Sequence, residues 1–253
     1  MTRDLWLLFV ANTFVVLSSV YFAIFKFSKL QLSEETRRRN RTVISNAFFR
    51  EFWYFLIDPL KLKLIKWDVN PNTITFVGML FSVLGGLAFG LGEFGLGSWM
   101  IICSGTCDVF DGQLARAKKI SLKSGAFFDS TLDRVAEAAI FGGFLWFFRN
   151  DSVFFMFSLF AAMSSQIISY CRARAEGLGF NSGSERGLFQ RAERFIILAV
   201  GTALSPLFDV YFEPFLLAKI TIAVIGLGTL QTAFSRCVGL YYEIKAFEKN
   251  SAR

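Results

Sequence analysis

The sequence predicts an all-α, polytopic membrane protein with a six-helix transmembrane core, an interfacial juxtamembrane helix and an extra N-terminal transmembrane helix. Of the 253 residues, 54% are hydrophobic and 32 are phenylalanine. The mean hydropathy is +0.47, which is typical of a protein that lies in a bilayer. The apolar residues also form runs of about twenty, the length that crosses the hydrocarbon region at about 1.5 Å per helical residue.

The first of these runs extends from Leu5 to Phe25. No small-residue cleavage site follows it, so the run predicts a transmembrane helix or signal anchor and not a cleaved signal peptide. We therefore expect an extra N-terminal helix in residues 1–29. Residues 30–42 are a basic linker that ends in the arginine-rich stretch from Arg37 to Arg41, which is typical of the cytoplasmic side of a membrane.

The segment 42–67 mixes aromatic and basic residues and contains Asp58 and Pro59. It predicts an amphipathic segment in the membrane interface, interrupted at the proline. The stretch from Pro71 to Thr75 then opens the first core helix, because proline suits a first turn and Asn70 or Thr73 can cap it. The free N–H groups of a helix start favour a phosphate nearby.

The loops between the core spans predict the topology. Most of the 27 lysines and arginines fall in 26–71, 116–124, 172–194 and 242–253, so these segments are expected in the cytoplasm and the N-terminus outside. This topology accounts for the net charge of +7 without a nucleic-acid partner. The core spans are predicted at 73–91, 97–117, 125–148, 152–171, 191–207 and 214–241.

Four aspartates carry the chemistry that the sequence predicts. Asp108 and Asp111 share one helix face, and Asp129 and Asp133 share another. Two such helices that meet bring four carboxylates together, and they stay ionised only with a cation such as Mg²⁺ or Mn²⁺. The chain contains no histidine, so a carboxylate is the available general base. Acidic residues near membrane spans are costly, which favours a functional role over a solvated face.

The pattern D-x-x-D-G-x-x-A-R, eight residues, G-x-x-x-D-x-x-x-D begins at Asp108 and ends at Asp133. It resembles the signature of the CDP-alcohol phosphotransferase family, and the resemblance covers roughly 43–245, with 246–253 left as a cytoplasmic tail. The resemblance implies two divalent ions (Mg²⁺ or Mn²⁺) on the four aspartates, with Asp133 also the catalytic base, and a homodimer. The residues that it implies for binding CDP-diacylglycerol are Pro71, Asn72, Thr73, Ile74, Gly112, Ala115 and Arg116.

A second pattern concerns the acceptor. S-Y-C-R-A-R-A-E from Ser169, followed by R-A-E-R from Arg191, resembles the phosphatidylinositol phosphate synthase branch of this family. Converging arginines suit a phosphate dianion, whereas loop arginines can also be simple topological anchors. Arg236, inside the last span, is less easily explained as an anchor. The resemblance implies an acceptor-phosphate pocket of Ser169, Arg172, Arg194 and Arg236.

The expected activity is transfer of a phosphatidyl group from CDP-diacylglycerol to a phosphorylated polyol, in first place myo-inositol phosphate, with release of CMP. The resemblance places it in a bacterial-type cytoplasmic membrane, with the active site facing the cytoplasm. One alternative is glycerol 3-phosphate as acceptor, giving phosphatidylglycerol phosphate. An alternative of another class is a divalent-cation transporter, although the internal repeat common in transporters is not evident. The four cysteines are interpreted as small hydrophobic residues.

Overall fold

The computed structural model describes residues 3–26, 47–118, 122–180 and 189–251, and within these ranges the regular structure is helical, without strands. The all-α fold class is therefore confirmed. The basic stretch from Arg37 to Arg41 lies outside the described residues. The eight described helices are α1 (Arg3–Phe25), α2 (Ala47–Lys66), α3 (Pro71–Gly90), α4 (Phe94–Ala117), α5 (Lys123–Phe147), α6 (Ser152–Gly177), α7 (Arg191–Phe208) and α8 (Leu216–Ser251).

Three of the described helices are long and apolar enough to cross a membrane by themselves. They are α3, α6 and α8, with mean hydropathies of 1.8, 1.6 and 1.6 over their most apolar windows. In α1 the apolar part that the structure describes, Phe9–Phe25, is shorter than these three spans. The other core helices, α4, α5 and α7, each carry charged residues within their length. These charges lower their hydropathy, and they are the residues on which function is predicted.

Three helices, α2, α6 and α8, differ from the predictions. Helices α6 and α8 extend beyond the predicted 152–171 and 214–241, to Gly177 and Ser251. Helix α2 continues through Pro59, so the predicted interruption there is wrong. The turn before the proline is fixed by tertiary packing, because Ile57 is buried against α4, and this packing outweighs the lost backbone hydrogen bond. At the start of α3, Asn70 is the cap: its side chain accepts a hydrogen bond of 3.0 Å from Asn72 N–H.

Helix α3 lies against both α4 and α5, α6 packs on α8, and α7 packs on α4 and α8. The main core is built from aromatic rings at the end of the bundle away from the aspartates. Phe94 is its centre, with ring centroids 5.6 Å from Phe144 and 4.9 Å from Phe147. This end is apolar and fully packed, so it fixes the helices while leaving their other ends free for polar residues.

The additional N-terminal helix α1 docks on two others. Phe22 is fully buried and its ring lies 5.8 Å from that of Phe52 on α2. The Asn12 amide donates a hydrogen bond of 3.4 Å to the carbonyl of Ala203 on α7. Helix α2 in turn packs beside α4 through Ile57, against Phe110. Helices α1 and α2, which lie outside the predicted core, therefore pack against α7 and α4.

Helices α3 and α5 cross at two glycines. A Cβ placed on Gly143 would lie 2.0 Å from the Gly86 carbonyl oxygen, and one on Gly86 would lie 2.2 Å from the Ala139 carbonyl oxygen. We expect Gly143→Ala to force the helices apart and to lower the free energy of unfolding by about 1–3 kcal/mol. Gly142→Ala is the matched control, since a Cβ there meets nothing within 4 Å. Equal thermal stability of the two variants in detergent would contradict this account.

The pairing of α6 with α8 brings the sulfurs of Cys171 and Cys237 to 3.0 Å, with both thiols free. A disulfide needs a sulfur separation only about 1 Å shorter than this, so we expect a mild oxidant such as copper–phenanthroline to join the two cysteines. Each thiol loses one proton and one electron to the oxidant. Mass spectrometry of the tryptic digest checks the cross-link. Cys171→Ser is the control. Two unmodified thiols after oxidation would contradict the packing described here.

Candidate active site

Two of the four predicted aspartates meet around an arginine. Arg191, the first residue of α7, donates from Nη1 to Asp108 Oδ2 on α4 at 2.8 Å and from Nη2 to Asp133 Oδ1 on α5 at 2.6 Å. The Asp133 side chain is 14% exposed and that of Asp108 is 30% exposed. A single guanidinium thus joins three helices at the polar end of the bundle.

Asp111 is held by a residue that sequence analysis did not assign to the site. Thr75, one turn into α3, donates from Oγ1 to Asp111 Oδ2 at 2.7 Å, and both residues are buried. The threonine belongs to the P-N-T-I-T stretch, but nothing in the sequence indicates a contact across 36 positions. This hydrogen bond fixes the start of α3 beside the aspartates of α4.

Asp129 is half-buried on α5, and among the described residues it accepts no hydrogen bond. Its charge is close enough to those of Arg191 and Arg134 for attraction. No group of three or more acidic or thiol side chains converges as ligands of one metal ion within the part of the chain described. The donor set nevertheless fits a hard divalent cation, because it consists of carboxylate oxygens and a cationic group already stands between two of them.

The residues predicted to bind the nucleotide lipid surround the start of α3. Asn72 lies near the start of α5, since a Cβ on Gly125 would be 3.6 Å from its Oδ1. On α4, the Arg116 guanidinium folds back over Gly112, 3.3 Å from where a Cβ would be. Their exposure differs: Asn72, Thr73 and Arg116 are exposed, and Pro71, Ile74, Gly112 and Ala115 are half-buried.

Lys118 ties this region together. Its Nζ donates to the carbonyls of Asp68 and Val69, both at 2.9 Å, and pairs with Asp68 Oδ1 at 2.6 Å. The loop between α2 and α3 is therefore fastened to the end of α4. As a result, the start of α3, with the positive end of its dipole, lies on the same side of the bundle as Asp111 and Arg116.

The predicted acceptor residues lie on three neighbouring helices, α6, α7 and α8. Arg236 is 3% exposed and donates to the Ile168 carbonyl at 3.2 Å. Arg172 and Arg194 lie near enough to Arg236 for their positive charges to repel. Arg172 is exposed and pairs with Glu176 at 2.8 Å, whereas Arg194 is 1% exposed. The structure therefore gathers the three arginines but buries two of them.

Glu137 organises this arginine group, and sequence analysis missed it. It is fully buried on α5; Oε2 accepts from Arg134 Nη1 at 2.7 Å and Oε1 accepts from Arg194 Nη2. Arg134 also donates to the Ser169 hydroxyl, and Arg194 donates to the Phe189 carbonyl at 2.9 Å. The spacing of Arg134 and Glu137, three apart and directly after Asp133, was the available signal.

A small cleft opens beside the aspartates. Its empty space, including the open mouth, is about 170 Å³. Asp108, Asp133 and Arg191 line it together with Thr75 and Ser104. The Ser104 hydroxyl shares a hydrogen bond of 2.7 Å with that of Ser82 on α3. The carboxylates face this opening, where a substrate can approach them.

Known proteins resemble this chain in sequence and in fold. The model of the CDP-alcohol phosphatidyltransferase family matches residues 68–227. A phosphatidylinositol phosphate synthase of Streptomyces avermitilis is 35% identical over 198 residues, 76% of this chain and 81% of the relative.

Two crystal structures of the Mycobacterium tuberculosis phosphatidylinositol phosphate synthase are also similar. One, with CDP-DAG bound, matches with a TM-score of 0.64 and 29% identity over 72% of this chain and 92% of the other. The second, in complex with manganese and citrate, has a TM-score of 0.64 and 28% identity over 72% and 88%. The chain belongs to the CDP-alcohol phosphatidyltransferase family and is a membrane-embedded transferase.

Proposed function

We propose that this transferase moves a phosphatidyl group from CDP-diacylglycerol to a phosphorylated polyol, with myo-inositol phosphate as the first choice, and releases CMP. The observation that carries the proposal is the adjacency of two charged groups. The aspartates of α4 and α5 lie beside the arginines of α6, α7 and α8, and Arg134 and Glu137 connect them. The first group suits a pyrophosphate with cations, and the second suits a second phosphate.

Asp108, Asp111, Asp129 and Asp133 would hold two divalent ions, Mg²⁺ or Mn²⁺. When bound, such ions neutralise the pyrophosphate and polarise the phosphorus that is attacked. The role of Thr75 is to orient Asp111, whose Oδ2 it binds at 2.7 Å. A carboxylate that is held in this way keeps its direction when substrate enters, which preserves the geometry needed for transfer.

Asp133 acts as the general base. The acceptor hydroxyl gives its proton to an Asp133 carboxylate oxygen while its own oxygen attacks the phosphorus bonded to the diacylglycerol oxygen. The bond from that phosphorus to the oxygen shared with CMP breaks, and CMP leaves with the electron pair. Asp133 is the appropriate carboxylate because its side chain lines the cleft, and its pairing with Arg191 holds it beside the opening through which the acceptor enters.

The donor's phosphates and cytidine bind at the start of α3. The positive end of the α3 dipole favours anions there. Gly112 and Ala115 are small residues of α4, and the Arg116 guanidinium lies over Gly112, where it can contact the donor. Pro71 to Ile74 form the opposite wall.

The acceptor's phosphate binds at Ser169, Arg172, Arg194 and Arg236. Buried arginines are costly unless paired, and Glu137 compensates only part of the positive charge of Arg134 and Arg194. A phosphate dianion supplies the remaining negative charge and accepts several charged hydrogen bonds at once. An acceptor without a net negative charge, such as free inositol or zwitterionic serine, leaves that positive charge uncompensated.

The family domain, 43–245 in this proposal, works as a homodimer in a bacterial-type cytoplasmic membrane. Its polar end faces the cytoplasm, because the loops at that end carry most of the chain's lysines and arginines. Water-soluble acceptor and CMP exchange there, while the acyl chains of the donor stay in the bilayer.

The test is CMP release by the purified chain in detergent with CDP-diacylglycerol and Mg²⁺. Inositol phosphate, glycerol 3-phosphate, free inositol and serine are supplied separately. Release only with inositol phosphate is the expected result. Release only with glycerol 3-phosphate would keep the transfer chemistry and overturn the acceptor. Release with free inositol at an equal rate would overturn the phosphate role of the arginines.

A further inference from the structure

Arg191 places a positive charge at the start of α7, a position that is electrostatically unfavourable for a cation. It is the first residue of α7, where the helix dipole is positive and a cation is less stable than at the other end. Its Nε is buried and has no hydrogen-bond partner among the described residues. The guanidinium carbon lies 5.0 Å from the ring centre of Phe195, so the side chain rests on an apolar surface. Its two hydrogen bonds go to the aspartates, and the nearby carboxylate of Glu137 adds attraction.

Arg191 pairs with carboxylate oxygens that the proposed metal site also uses. Its two terminal nitrogens use Asp108 Oδ2 and Asp133 Oδ1, one oxygen from each of the two acidic helices. A divalent cation bound to the same carboxylates would stand within a few ångströms of the guanidinium. Like charges this close in a low-dielectric site repel strongly, so the two cations exclude each other.

We propose that Arg191 is an exchangeable internal cation: it holds Asp108 and Asp133 together while no metal is bound, and a divalent metal displaces it. This inference rests on the metal site of the proposed function. The contact stabilises the metal-free protein, since four uncompensated carboxylates at one end of a helical bundle repel one another. It also weakens metal binding, because each binding event must first break two charged hydrogen bonds.

The experiment measures Mn²⁺ binding to the full-length chain in detergent after metal is stripped with a chelator. Free Mn²⁺ is followed by electron paramagnetic resonance. We expect Arg191→Gln to bind Mn²⁺ at least about tenfold more tightly than the unmodified chain, which corresponds to about 1.4 kcal/mol. Arg174→Gln is the control, since it removes the same charge from an exposed side chain on α6, and its affinity is expected to stay unchanged.

A second readout is the melting temperature with and without Mn²⁺. In Arg191→Gln the metal-free form is expected to melt earlier than the unmodified chain, and Mn²⁺ is expected to raise its melting temperature by more. Arg191→Lys keeps the positive charge but can make fewer hydrogen bonds, so its Mn²⁺ affinity should fall between those of the unmodified chain and Arg191→Gln. It replaces the glutamine variant in this test if that variant does not fold. If the folded variants bind Mn²⁺ no more tightly than the unmodified chain, the proposed displacement of Arg191 is wrong, whereas the metal site itself stands. Absence of Mn²⁺ binding by the unmodified chain would overturn the metal site as well.

Discussion

Asp133→Asn is expected to reduce the rate of CMP release by about 100- to 10,000-fold, the usual contribution of a positioned general base. Asparagine has nearly the same shape as aspartate but cannot accept the hydroxyl proton as a carboxylate does. The substitution also removes one oxygen ligand that the proposed metal site needs. The rate is measured at saturating CDP-diacylglycerol and acceptor, so that weaker binding is separated from slower chemistry.

Asp151→Asn provides the matched control. Asp151 caps α6 at the opposite end of the bundle, where its Oδ1 accepts from Val153 N–H and Phe154 N–H, both at 3.2 Å. Asparagine caps helices about as well as aspartate, so this variant should keep the full rate. If Asp133→Asn retains more than about a tenth of the wild-type rate, Asp133 is not the base.

Glu137→Gln is expected to lower the free energy of unfolding by about 3–5 kcal/mol, the usual result of removing one partner of a buried ion pair. The carboxylate is fully buried and compensates two guanidiniums, those of Arg134 and Arg194. An amide keeps the volume of the side chain but leaves both positive charges in a low-dielectric region. The measurement is reversible unfolding by denaturant in mixed micelles.

Glu176→Gln is the control for this prediction. Its carboxylate is 47% exposed and pairs with Arg172 one turn earlier on α6, so its removal should change stability by at most about 1 kcal/mol. The double variant Glu137→Gln with Arg194→Met should recover part of the loss, because it also removes one of the two stranded charges. Equal losses for Glu137→Gln and Glu176→Gln would show that Glu137 does not compensate the buried arginines.

The sequence predicted the helices well because hydrophobic runs are local. The six core helices appear in the predicted order, and their starts fall within three residues of the predictions. The predicted spans 152–171 and 214–241 end before α6 and α8 do, since the prediction follows the apolar runs and both helices continue beyond them into charged residues. Such continuation depends on water and ion pairs at the membrane surface, which hydropathy does not represent.

The site was predictable to the extent that its pattern is local. The spacing of the aspartates determines which of them share a helix face, and no long-range information is needed for that. Arg191 and Arg194 show the limit of this approach. They lie three positions apart on α7, yet one reaches Asp108, 83 residues away, and the other reaches Glu137, 57 residues away. Sequence analysis assigned only Arg194 to the site, because the rotation of α7 against α4 and α5 is decided by tertiary packing.

The docking of α1 has a consequence for how the protein is made. During synthesis α1 leaves the ribosome before α2, and α2 follows soon after, so the contact between Phe22 and Phe52 can form early. The hydrogen bond from Asn12 to Ala203 joins residues 191 positions apart and must wait until α7 has entered the membrane. The contact of α1 with α7 therefore forms only after α3 to α6 have been synthesised, so the packing of α1 is completed late in assembly.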